Sequence, residues 1–277
     1  MSKYRKNPEQ DSSVLNPKNI MIWGLALILL LGLGVFLFMP KKDINLLNNC
    51  PQNQKDINKQ GITAILIDLS DPLSVSQEEA LKNEFKSLTL VRQDNSRLLS
   101  KGDKLVVYLA NGTEKPDIIF DMCSPGAPDE RKFEDKMTEG KFLNKAKWEN
   151  FSQEVIDKLT KKFVEKAEIN SSPIIESIAF VRNKEFARPE YIQNNKINNL
   201  LIVSDMIQNS AIHNRYAGEK NFRDVYDTKP INLFGLNLRV LHVINPKYKK
   251  YQNANLVTWW RNYFALAKGK TRIWSKL

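Results

Sequence analysis

The segment "GITAILIDLS", Gly61 to Ser70, is the strongest constraint on what this chain can become. Its apolar run does not alternate with polar residues, as a strand with one wet face would. Such a run suits a strand buried on both faces, the kind found in parallel sheets covered by helices on either side. Two later segments have the same character, "NNLLIVSDM" (198–206) and "NLRVLHVI" (237–244). Between the first and second lies "GDKLVVYLANGTEKPDIIFDMC" (102–123), two apolar runs around an Asn-Gly turn signal, which predicts a β-hairpin. Helical signals separate the strands. Ser74 and Gln77 fit a capping box, followed by Leu81, Phe85 and Leu88 on one face. Trp148, Phe151, Val155, Leu159, Phe163 and Ala167 recur at helical spacing between 147 and 169. "SSPIIESIAFV" predicts another helix, with Ser171 or Ser172 near the N-cap and Pro173 in the first turn. "NANLVTWWRNYFALAKG" closes the chain as an aromatic helix with Gly269 as its C-cap. Trp260 and Phe264 are expected inside and Trp259 outside. The order β-α-β-β-α-α-β-β-α predicts an α/β open sheet, mostly parallel with one antiparallel hairpin and helices on both faces.

Ahead of that domain, no charged residue occurs from Ile20 to Met39. At about 1.5 Å per residue the run matches a hydrocarbon core of about 30 Å. Residues 19–39 are therefore predicted to form one transmembrane helix, preceded by a polar arm (1–18) and followed by a linker (40–60) rich in Asn, Gln and Lys. The arm is long for a signal peptide and "FLFMPKK" offers no small-x-small site, so the segment reads as an uncleaved anchor. Lys3, Arg5, Lys6 and Lys18 before the helix slightly outnumber Lys41 and Lys42 just after it, which leans toward a cytoplasmic N-terminus. The domain at 61–277 is then expected in the periplasm, tethered to a bacterial inner membrane. The two cysteines, Cys50 in the linker and Cys123 at a strand end, permit one disulfide outside the cytoplasm; two unpaired thiols are the alternative.

The formal net charge is +11, but the lysines are scattered along the sequence and give no specific nucleic-acid signal. The acidic residues are better placed. Two buried strands end in a carboxylate beside a serine: Asp68 with Ser70 and Asp71, and Asp205 with Ser204. Parallel strands put such ends on one rim of the sheet, where ligands bind in open α/β folds. Carboxylates and hydroxyls gathered there suit a hard cation such as Mg²⁺. The plainer reading is that Asp68, Ser70 and Asp71 cap a turn and the helix after it.

These motifs resemble the von Willebrand factor A (vWA) family. "DLSDP" is similar to its first metal-adhesion loop, Asp-x-Ser-x-Ser, with Pro72 where the second serine belongs. "SSPIIESI" resembles the second loop, with Ser171 or Ser172 in the place of a threonine, and "IVSDM" the third, with Asp205. Together with "CSPG" and the terminal "WWRNYF", they are similar to a group of bacterial, often membrane-anchored, vWA-like proteins without an assigned activity. The resemblance implies a vWA/Rossmann-like fold over 61–277. It also implies a divalent-metal adhesion site, Mg²⁺ or Mn²⁺, from Asp68, Ser70, Asp71, Ser171, Ser172 and Asp205. A partner's carboxylate would complete the metal shell.

The sequence therefore predicts a membrane-tethered protein-interaction domain. A metal-free scaffold of an envelope or secretion-type assembly is the chief alternative, because Pro72 removes one ligand. A Mg²⁺-dependent hydrolase using Asp68 as nucleophile is the lesser one. Position 70 is serine rather than the second aspartate of a dehalogenase-type phosphatase, and no Gly-rich phosphate loop, H-E-x-x-H or G-x-S-x-G occurs. Of the two histidines, His213 and His242, the second lies in an apolar strand and reads as packed. "YAGEKNFRDVYDTKP" reads as an irregular loop, either beside the site or a plain surface excursion.

Overall fold

The computed structural model describes residues 17–38, 45, 48–52, 57, 59–68, 72–88, 98–127, 141–164, 171–187 and 198–277, excepting the side chains of 17–20, 32–38, 141–144, 163–164 and 272. The chain divides into two compact units, Met1–Asp43 and Ile44–Leu277. In the first, Pro17–Phe38 is a helix of 22 residues (α1). Its described side chains, Met21 to Leu31, include the exposed Met21, Ile22, Trp23, Leu25 and Leu27 to Leu31. Among the described residues no helix is long and apolar enough to cross a membrane.

The second unit is a six-stranded sheet in the order β3-β2-β1-β4-β5-β6. Its strands are β1 (Ile62–Ile67), β2 (Lys104–Leu109), β3 (Asp117–Cys123), β4 (Asn198–Ser204), β5 (Leu236–His242) and β6 (Lys270–Lys276). Every pairing is parallel except β2 with β3, the predicted hairpin. The order reverses between β1 and β4, which opens the rim at their C-terminal ends. This is an open, mostly parallel α/β sheet.

The central strands read as continuous apolar runs because each face of the sheet is covered. Ile62, Ala64 and Leu66 of β1 and Leu200 and Ile202 of β4 pack with α4 (Ile174–Glu185) and α6 (Ala254–Leu266), together with Val225 of the short α5 (Phe222–Thr228). Ile65, Ile67, Leu201 and Val203 point the other way, onto α2 (Val75–Ser87) and α3 (Lys141–Val164). The capping box of α2 forms as expected: the Ser74 hydroxyl accepts from the Gln77 amide, and the Gln77 side chain accepts from the Ser74 amide. On α3, Phe151, Val155 and Leu159 are buried; the Phe163 side chain and Ala167 lie outside the described residues.

Four expectations need correction. The chain does not end on a helix: Lys270–Lys276 adds an edge strand whose charged residues disguise it as a tail. Gly269 is not the residue that turns α6 back, since Lys268 holds the left-handed conformation (φ 59°). Gly269 is needed for space, because a Cβ there would stand 2.5 Å from Leu238 Cδ1. Trp259 is buried, stacked on Tyr263 at 5.5 Å and donating from Nε1 to the Lys220 carbonyl at 2.7 Å. The segment at 216–230 contains α5, capped by the Asn221 side chain, where an irregular loop was expected. The "CSPG" motif, for which the sequence indicated no place in the sheet, lies at the strand-start edge, away from the acidic corners. There Cys123 is level with Lys104 and so with Ile62, and the Ser124 amide donates to the Asp103 carbonyl.

The end of the predicted linker is part of the second unit. Asn45 and Cys50 form a small hydrogen-bonded loop, and the Cys123 amide donates to the Asn48 carbonyl at 2.8 Å. Cys50 and Cys123 are joined by a disulfide across 73 residues of sequence. Closing a loop of that length removes about 4 kcal/mol of denatured-state entropy in the chain-entropy description. Cys50→Ser is therefore expected to lower unfolding free energy by about 2–5 kcal/mol. Urea denaturation of the two proteins, each with and without reductant, measures it; reductant should weaken only the wild type.

Candidate functional site

Three loops converge where β1, β4 and α4 meet. Asp68 follows β1 directly and is 4% exposed, its amide donating to the Val203 carbonyl at 2.8 Å. Its Oδ2 accepts hydrogen bonds from two hydroxyls: Ser172, just before α4, and Ser204, the last residue of β4, at 3.1 Å. A carboxylate so buried is tolerable only with polar partners of this kind. The Ser172 hydroxyl is committed to Asp68, so α4 begins at Pro173 with no side-chain cap, contrary to the expected serine cap. Ser172 is held in place through its backbone, paired in both directions with Asn209 at 2.9 Å.

The loop after β4 is wound tightly. Asp205 is 6% exposed and its Oδ1 accepts from the Ile207 amide at 2.8 Å. Met206, fully buried, has φ 59°, a left-handed conformation that costs a non-glycine residue on the order of 1–2 kcal/mol. Two bonds hold it there: the Met206 amide donates to the Ser204 hydroxyl at 2.8 Å, and Trp260 Nε1 donates to the Met206 carbonyl at 2.7 Å. The Gln208 side chain then ties this loop to α4, accepting from the Ile175 amide at 2.9 Å and donating to Glu176 at 2.9 Å. Gln252 ties it to the loop after β5, donating to the carbonyls of Asp205 at 3.1 Å and Val243 at 2.6 Å.

Asp68 and Asp205 line an open cleft of about 230 Å³. Its other walls are Pro72, Leu73, Ser74 and Gln77 at the start of α2, and Val243 to Pro246 after β5. His242 lies beneath, 1% exposed, with Nε2 3.1 Å from the Asp205 carbonyl. Burial holds its ring at a pKa of about 4, with Lys276 adding to the fall and the Asp205 carbonyl opposing it. His213 is also held at about 4, by burial first and then by the charges of Arg215 and Lys220. It is 1% exposed and stacks on Trp259 at 5.4 Å.

Of the sequence-predicted site residues, the structure brings together Asp68, Ser172 and Asp205. Ser171 faces elsewhere, donating to the Asn209 carbonyl at 2.9 Å, so Ser172 is the hydroxyl of the second loop. Ser70 and Asp71 lie outside the described residues. Ser204, read in the sequence only as a strand end, turns out to bind Asp68; its signal was the Ser-Asp pair at the end of a buried strand. Gln208 and Gln252 carried none. Among the described residues no group of three or more His, Cys, Asp or Glu side chains is arranged to hold a metal ion. The oxygen set here is instead mixed, two carboxylates with serine hydroxyls. Its chemistry fits a hard cation that keeps open positions.

No protein-family profile matches the chain, and no curated protein sequence matches it significantly. Among solved structures, it is similar to an aerotolerance-related membrane protein from Bacteroides fragilis at 11% identity and a TM-score of 0.37, over 79% of this chain and 92% of that one. It is also similar to manganese-loaded TRAP protein of Plasmodium vivax at 12% identity and a TM-score of 0.36, over 79% of this chain and 69% of that one.

Two outcomes are expected from this geometry. Trp260→Phe removes the indole N–H that the Met206 carbonyl accepts from and leaves a smaller ring in the core, and should cost at least about 1–3 kcal/mol in urea denaturation. Both histidines titrate lower folded (about 4) than unfolded (about 6.5), so the unfolded chain takes up protons first. Their contribution to stability is complete above pH 6.5 and declines as pH falls toward 4, by roughly 1–2 kcal/mol per ring between pH 7 and 5. Urea midpoints at the two pH values test this, and His242→Gln should shrink the difference.

Proposed function

We propose that this chain is a membrane-anchored interaction module that engages a protein partner through the rim of Asp68, Ser172 and Asp205. The observation that carries the reading is the gathering of two buried carboxylates, from two separate loops, at one open cleft, with the Ser172 hydroxyl of a third loop bonded to one of them. Residues that only capped their own turns would have no need to meet. In this reading Asp68, Ser172 and Asp205 hold a Mg²⁺ or Mn²⁺ ion. The ion, when bound, offers a Lewis-acidic position to a carboxylate of the partner. The protein's part is to keep the loop after β4 in its wound form, through Trp260 and Gln208, so that Asp205 stays on the rim.

Support for the anchor comes from the sequence alone, in the absence of charge between Ile20 and Met39. The disulfide supports placing the second unit in an oxidising compartment, the periplasm for a bacterial inner-membrane protein. Binding rather than hydrolysis is favoured because position 70 is serine and not a second aspartate, and because His242 is 1% exposed with Nε2 engaged by the Asp205 carbonyl.

A second reading, a metal-free scaffold, is favoured by one observation. Asp68 Oδ2 already receives two hydroxyls, and Pro72 lines the cleft without offering an oxygen. Calorimetric titration of the protein with Mg²⁺ and Mn²⁺ separates the two. Under the first reading the wild type binds and Asp68→Ala does not, while Ser172→Ala binds more weakly. Under the second no heat of binding appears in any of them, and Asp68→Ala shows only a lowered melting temperature.

A further inference from the structure

Three tyrosines meet on the same rim, beside the cleft. Tyr216, from the loop after β4, stands edge-on to Tyr251 at 4.9 Å and tilted against Tyr248 at 5.7 Å. The latter two flank the turn "NPKYKKY" after β5, whose single 3₁₀ turn, Pro246–Tyr248, begins at the residue that closes the cleft. Lys247 lies over the Tyr248 ring at 4.8 Å and Lys250 over the Tyr251 ring at 4.7 Å. Lys249 between them is exposed, as are Lys247 and Lys250. Lysines scattered in the sequence are thus concentrated here on an aromatic base. The one acidic side chain of the adjoining 207–221 segment, Glu219, is paired with Arg215 at 3.2 Å.

We propose that this tyrosine–lysine shoulder is a second docking element, which receives an acidic segment of a partner polypeptide whose neighbouring residues enter the cleft. The proposal rests on the reading of the rim as a partner-binding surface and adds the chemistry of the partner. Charge complementarity names the occupant. Three exposed ammonium groups within four residues attract carboxylates, and tyrosines give rigid contact area with hydroxyls at its edge. The ring faces of Tyr248 and Tyr251 already carry ammonium groups, and Tyr216 closes on their flank, so the cluster is poorly disposed to stack nucleic-acid bases. The adjoining cleft is a concavity of about 230 Å³, which the side chains of a polypeptide segment can enter and a flat bilayer surface cannot.

The test uses the full chain in nanodiscs of phosphatidylcholine, with chelator present so that the outcome does not depend on a metal. A fluorescent deca-glutamate peptide is the probe, with an oligothymidylate of equal charge and flotation on phosphatidylglycerol vesicles as the other arms. The peptide is expected to bind, more weakly as salt rises. Lys247→Glu with Lys250→Glu should weaken it about tenfold. Lys59→Glu with Lys270→Glu, the same charge change at the opposite, strand-start end of the sheet, should weaken it by less than about twofold. Equal losses from the two pairs would overturn the proposal in favour of a diffuse basic surface. It would also be overturned by preferential capture of the oligonucleotide or of the vesicles through Lys247 and Lys250. A wild type that binds the peptide here yet takes up no metal in calorimetry would retain the shoulder and retire only the metal.

Discussion

The organisation of the rim depends on one carboxylate. Asp68 is too buried to be solvated by bulk water, and its Oδ2 draws the hydroxyls of Ser172 and Ser204 inward. Each hydroxyl brings a loop with it. Ser172 fixes the entry to α4, whose first turn is then capped by Gln208 from the third loop instead of by a serine. Ser204 also accepts from Met206, so the same small side chain orients Asp68 and helps hold the left-handed residue that follows Asp205. The site is therefore a single hydrogen-bonded unit and not three independent turns, and changes at one member propagate to the others.

The sheet supplies the rigidity this unit needs. β1 and β4 are paired on both sides and buried on both faces, so the backbone that presents Asp68 and Asp205 has little freedom to move. The aromatic side of α6 serves the same end from the other direction. Trp260 reaches the Met206 carbonyl, and Trp259 braces His213 in the covering segment.

The fold was largely legible because it is written in unbroken apolar runs. Ile62–Ile67 and Asn198–Ser204 permit few arrangements other than central parallel strands, and the Asn-Gly turn marks the hairpin. Elements at the margin left weaker traces. β6, KTRIWSK, sets Lys270, Arg272 and Lys276 around a single apolar pair, Ile273 and Trp274, as an edge strand can, and so resembles a solvated tail. Asp68, Ser172 and Asp205 were legible from the acid–serine pairs at strand ends. The choice between Ser171 and Ser172 was not, because it turns on which neighbour the Asn209 backbone pairs with. Gln208 and Gln252 act across loops distant in sequence, and local pattern carries no record of such contacts.

The bridge between Cys50 and Cys123 also determines how the second unit responds to being pulled. Tension arriving along the chain from its N-terminal side enters through Cys50 and passes by a covalent bond to the end of β3, an edge strand. β1, which runs through the middle of the sheet and carries Asp68 at its far end, is not the element that takes the load. A pull on the chain ahead of Cys50 is thus delivered to the periphery of the sheet, away from the rim with its clasped carboxylate.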